Sequence, residues 1–178
     1  MRVKIGKYPT HRFYHNWLYN WFGYSQQQRT SIKIHKYDTW SMDDTLAPII
    51  LPMLVQLKAT QHGAPMVDLE DVPKLLHPTK KQQAEYKKTG STDPKFFTRW
   101  DWILDEMIWA FEQKCRDDWE GDFYEYRDAT PEEKESKDPN SLFGLVLVWE
   151  DKKGRADHQK RMSNGFKLFG KYFENLWD

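Results

Sequence analysis

The stretch Asp93-Pro94-Lys95-Phe96-Phe97-Thr98-Arg99-Trp100-Asp101-Trp102-Ile103-Leu104-Asp105-Glu106-Met107-Ile108-Trp109-Ala110-Phe111 decides the fold. Asp93 offers a side-chain oxygen to orphaned first-turn amides. Pro94 sits at the first helical position, where a missing amide donor costs nothing. The sequence therefore predicts a helix from here to about Arg116. Phe96, Trp100, Ile103, Leu104, Met107, Ile108 and Phe111 recur at helical spacing and form a broad apolar stripe that must be buried. The opposite line carries Asp101, Asp105 and Glu112, with Glu106 on its flank.

Downstream, the chain turns acidic near residues 117–140: ten Asp or Glu stand against three Lys or Arg from Asp117 to Asn140. This segment reads as a long excursion. Leu142 to Trp149 is short, rich in Leu and Val and bounded by turn residues, which predicts a buried strand. A terminal helix follows from about Arg155. Met162, Phe166, Phe169, Phe173 and Trp177 keep helical spacing, and a stripe reaching the chain end in this way can continue across a two-fold axis, so a homo-oligomer is expected.

Upstream, Ser41 followed by Asp44 is a capping-box variant that opens a helix to about Ala59. Pro48 and Pro52 each remove a donor and should kink or split it. Gly63 supplies the stop. The polar connector near residues 79–92 is either a solvated helix or a mobile segment. Closer to the start, Arg12 to Phe22 reads as an aromatic helix closed by Gly23 after a turn at Tyr8-Pro9-Thr10. Val3 to Ile5 reads as a short strand, and Ser31 to Tyr37 alternates so that Ile32 and Ile34 share one face. The expected class is α+β, a single domain over 1–178, with about four main helices around an aromatic-rich core and one small sheet of about three short strands.

Composition bounds the function. The 178 residues carry 27 basic and 27 acidic side chains, and aromatics make up 16% of the chain beside 39% hydrophobic residues overall. Charge is segregated: seven bases face only Asp38 from Met1 to Trp40, and seven face only Asp157 from Lys152 to Lys171. Such blocks favour an internally complementary or self-associating fold over a uniform cationic surface, which argues against extended nucleic acid as a partner. The longest apolar run, Ala47 to Val55, is half the ~18 residues a membrane span requires. Cys115 is the lone cysteine, read as a plain buried thiol, and suits a reducing, cytoplasmic setting.

Chemical motifs are sparse. Gly165 to Lys171 has phosphate-loop spacing, but Tyr172 stands where a hydroxyl ligand for magnesium is needed and no strand precedes it, so an amphipathic helix is the better reading. Asp101, Asp105 and Glu106 could hold magnesium for hydrolysis of a nucleoside phosphate, since hard cations take carboxylate oxygens. His35, Asp38, His62, Asp68, Glu70 and Asp71 show no tight ligand spacing. No nucleophile has a base at a diagnostic spacing, which favours binding over catalysis. Trp40, just before a helix start, and Trp102, at the margin of its stripe, are the rings most available to a ligand. A base stacked on Trp40 and Trp102, with Asp43 and Asp105 accepting ring or ribose donors and Arg99, Lys171 and His62 meeting phosphate, would form a nucleotide-type site without a cofactor.

Asp38-Thr39-Trp40-Ser41-Met42-Asp43, His62-Gly63-Ala64-Pro65-Met66-Val67-Asp68, Arg99 to Glu112 and Asn164 to Phe173 together resemble a family of small proteins encoded by tailed bacteriophages. The likeness spans nearly the whole chain, most loosely in the connector and the acidic excursion. It implies a phage product made in the cytoplasm of an infected bacterium, where takeover, nucleotide metabolism and counter-defence are the usual tasks, and it transfers no site residue. The expected function is an accessory protein that sequesters a nucleotide-derived small molecule, such as a bacterial immune signal. The alternatives are a protein partner that inhibits a host enzyme through an exposed aromatic patch and a magnesium-dependent nucleotide phosphohydrolase.

Overall fold

The computed structural model describes residues 1–5, 13–23, 30–132, 141–142 and 144–177. The fold is α+β. Contacts group the chain into two compact units, Met1–Thr45 and Leu46–Asp178.

In the first unit, β1 (Arg2–Ile5) pairs antiparallel with β2 (Thr30–Lys33), with Val3 opposite Ile32. Helix α1 (Phe13–Phe22) ends at Gly23, whose φ of 63° is a left-handed stop that glycine adopts without strain. The expected turn at Tyr8-Pro9-Thr10 lies outside the described residues. The strand expected from Ser31 to Tyr37 stops at Lys33, and its alternation does not produce a buried face, for Ile32 and, just beyond the strand, Ile34 are both exposed. Asp38 anchors the unit. Its carboxylate accepts hydrogen bonds from the N-terminal ammonium and from the His35 amide, each at 2.6 Å, and the ammonium holds its pKa below the usual carboxylate value.

The second unit contains the main core. Helix α2 (Met42–Thr60), whose first turn belongs to the first unit, runs unbroken through Pro48 and Pro52, so the expected split does not occur. Helix α3 (Lys80–Thr89) realises the helical option for the polar connector. Thr79 and Gln82 form a reciprocal capping box, and Gly90 closes the helix at φ 73°. Helix α4 (Phe96–Lys114) buries Trp100, Ile103, Leu104, Met107 and Phe111, the predicted stripe, while Phe96 and Ile108 are half-buried. It packs against α5 (Lys152–Lys171), whose Met162 and Leu168 join the core with Tyr172.

The expected single sheet is instead two. β5 (Leu145–Glu150) pairs with β3 (Tyr124–Asp128) and with β4 (Ser141–Leu142), both antiparallel, in the order β3-β5-β4. β3 arises within the acidic excursion. Its alternating Tyr124 and Tyr126 rings stack at 6.0 Å and outweigh the charge that marks the segment as irregular. The terminal stripe is also interrupted: α5 ends at Lys171 and the chain tightens into a 3-10 turn at Phe173–Asn175. Phe173 and Trp177 thus leave the α5 stripe, which is the physical origin of the site described next.

Candidate functional site

The α4–α5 seam sets the position of everything around it. At Gly165 the two helices approach so closely that an added Cβ would lie 2.4 Å from Ala110 Cβ and 2.5 Å from the Glu106 carbonyl oxygen. This glycine of the phosphate-loop look-alike is therefore a packing residue inside a helix. Next to it, Arg161 donates from Nε and Nη2 to the two carboxylate oxygens of buried Glu106, at 3.1 and 2.8 Å, while its guanidinium lies 3.9 Å from the Trp109 ring centre. Further along α5, His158 stacks on Trp119 at 4.8 Å and also touches Trp109 and Phe123. Burial first, then the Arg116 charge, lower its pKa.

On the other side of the unit, the altered course after Lys171 leaves an open apolar groove. Ile50, Met53 and Leu57 of α2 form one wall, and Phe169, Phe173 and Trp177 the other, around a volume of about 660 Å³. Three and four residues apart, the α2 side chains share one helix face. The Trp177 ring lies beside Gly63, where a Cβ would meet Trp177 Cζ3 at 3.4 Å, an ordinary contact distance. Met53, Phe173 and Trp177 are 61%, 62% and 53% exposed, so the groove keeps large apolar surfaces in contact with solvent. Its polar lining is Gln56 and Thr60, and among the described residues no charged side chain lines it.

The residues singled out from the sequence fare differently. Trp40, 86% exposed, and Asp43 lie in the first unit, Asp43 in the first turn of α2. His62, Arg99, Trp102, Asp105 and Lys171 lie in the second. Arg99 is only 4% exposed and is fixed by Asp93 through two hydrogen bonds, at 3.1 and 2.5 Å, and by the Leu76 carbonyl at 3.0 Å. That guanidinium holds the Asp93 carboxyl below its usual pKa. Trp102 packs half-buried against the core, and His62 is exposed. Asp105 accepts a hydrogen bond from Lys58.

Lys171 meets carboxylates, not an open phosphate position: Asp71 at 2.6 Å, Asp68 at 2.7 Å and Glu70 at 3.3 Å. These partners raise its pKa. Tyr172 closes the same cluster, donating to Asp71 at 2.7 Å and accepting from the Asp68 amide at 3.0 Å. Burial and the Asp71 contact push its phenol up to about 12. Among the described residues, Asp68, Glu70 and Asp71 are also the carboxylates close enough together to share a cation, and the Lys171 ammonium sits among them, offsetting one of their three charges. The proposed magnesium row does not converge in this way, because Asp101, Asp105 and Glu106 face Gln61, Lys58 and Arg161 respectively.

Cys115 is exposed at the end of α4, against the expectation of burial, and partial desolvation raises its pKa, which disfavours the reactive thiolate. Sequence reasoning missed the groove residues of α2. The available signal was the apolar run Ala47 to Val55, with Leu57 beyond it, distributed around several helix faces, more than one core contact can cover. The chain matches no family model, no curated protein and no solved structure.

Proposed function

We propose that this is a non-catalytic binding protein that takes a flat, uncharged aromatic small molecule into the groove between α2 and the C-terminal segment. The groove itself carries the reading. Its volume of about 660 Å³ falls within the roughly 300–1,000 Å³ of small-molecule sites, which are mostly apolar with few polar groups. Phe169, Phe173 and Trp177 provide ring edges and faces that favour an aromatic guest. A two-ring ligand burying roughly 250 Å² gains about 6 kcal/mol before association costs, so bare ring systems should bind more weakly than micromolar.

Sequestration of a nucleotide-derived signal, serving counter-defence in an infected bacterium, is a second reading, with a charged ligand and a site apart from the groove. Exposed Trp40 favours it by offering a stacking face. Arg99 and Lys171 weigh against phosphate capture because each charge is balanced within the fold. Titration calorimetry with the neutral probe N-phenyl-1-naphthylamine and with cyclic and linear nucleotides separates the two. The groove reading expects heat with the neutral probe that Met53→Ala and Trp177→Ala abolish. Heat only with nucleotides transfers the function to the phosphate-binding reading, and turnover of a nucleotide in magnesium would replace both with hydrolysis. Native mass spectrometry tests the proposed homo-oligomer: a dimer that dissociates on Trp177→Ala would place a second copy in the groove instead of a ligand.

A further inference from the structure

A second hollow lies beneath α3, distinct from the groove, and its volume is about 300 Å³. Met66, Val67, Leu69 and Phe96 give it an apolar floor, and Tyr86 and Lys87 of α3 hang over it. Met66 is 57% exposed and Tyr86 41%, so apolar surface is left uncovered there. At its back, Asp93 and Arg99 neutralise one another through their paired hydrogen bonds. Lys87 is left as the unbalanced charge of the lining, on a helix that carries Lys80, Lys81, Lys87 and Lys88 against Glu85 alone. The charged lining sums to one positive charge, Lys87 and Arg99 against Asp93, which favours an anion there.

The covering helix is built to move as a unit. α3 buries none of its residues, yet both ends are closed locally, by the Thr79–Gln82 capping box and by left-handed Gly90. Pro78 precedes the cap and lines the hollow. A helix held by its own caps and by little core contact opens at low free-energy cost while keeping its helical form.

We propose that this hollow binds a small amphipathic monoanion, an aromatic ring system bearing one carboxylate or sulfonate, with the rings on Met66 and Phe96, the anion on Lys87, and α3 as a movable cover. The inference stands independently of the function proposed for the groove. The probe is 1-anilinonaphthalene-8-sulfonate, titrated by fluorescence into the full chain and into a Met53→Ala, Trp177→Ala background that removes the groove. Binding should persist in that background, weaken about tenfold in Lys87→Gln through loss of a charge-assisted contact, and remain unchanged in Lys80→Gln. Amide hydrogen exchange across α3 should slow when the probe binds. Absence of binding in the groove-deficient background, equal losses in Lys87→Gln and Lys80→Gln, or α3 exchange indifferent to the probe would each overturn the proposal.

Discussion

The α4–α5 seam and the α2 groove both carry large aromatic side chains and end in opposite states. In the seam, each large group has a specific neighbour: Glu106 has Arg161, Trp109 has Arg161 and His158, and Gly165 has the backbone of Glu106 directly above it. In the groove, Met53, Phe173 and Trp177 present apolar surface to solvent without such closure. Aromatic content alone therefore does not separate core from site. The separation comes from geometry, since a close helix approach consumes rings in the seam and the break at Tyr172 releases them at the groove. The seam should be sensitive to substitution for stability, and the groove for binding.

Gly165→Ala should be the most damaging change. Its Cβ would meet backbone as well as a side chain, so the helices must separate, at a cost of about 2–3 kcal/mol read as a lowered denaturation midpoint with unchanged slope. Arg161→Met comes next. It leaves the buried Glu106 carboxylate without its two donors, and a loss of about 1–2 kcal/mol by urea titration is expected. A neutral outcome for either would show that the seam is looser than described.

The pH response sharpens the contrast further. His158 has a folded-state pKa below 6.5, lowered by burial and by the Arg116 and Arg161 charges against the opposing pull of Asp122. The unfolded chain therefore takes up this proton first. Its stabilising contribution is complete above about pH 6.5 and declines as pH falls toward the lower folded value. Urea midpoints measured from pH 7.5 to 5 should decrease, and His158→Phe should flatten that part of the profile. Asp93 and Asp122, depressed below 3.8, act in a separate and more acidic window. The smallest stability effect belongs to the groove: Met53→Ala and Trp177→Ala should each cost less than about 1 kcal/mol, because the side chains are already largely solvated.

Local pattern was enough for the α4 stripe and the existence of α1, α2 and α5, because each rests on periodicity within one segment. The expected cap of α4 does not form: the helix starts at Phe96 with Lys95 at its N-cap and no side-chain cap hydrogen bond, and Asp93 is instead paired with Arg99. The site depends on relations across long sequence separations, which periodicity does not encode. Lys171 looked like a phosphate ligand until folding brought it against Asp68, Glu70 and Asp71, and Arg99 until Asp93 folded back onto it. Asp105 was similarly claimed by Lys58. β3 was hidden because acidic side chains on an exposed strand resemble those of an irregular segment. Pro48 and Pro52 misled in the other direction, since α2 stays helical through both.

The central claim is that the open groove, and not the closed seam, accepts a ligand. Titration of N-phenyl-1-naphthylamine into the native chain, into Trp177→Ala and into Arg161→Met tests it most directly. The account predicts one saturable site whose affinity is lost in Trp177→Ala and retained in Arg161→Met while the latter alone is clearly destabilised. Binding that survives Trp177→Ala, or that fails in the native chain, would contradict it.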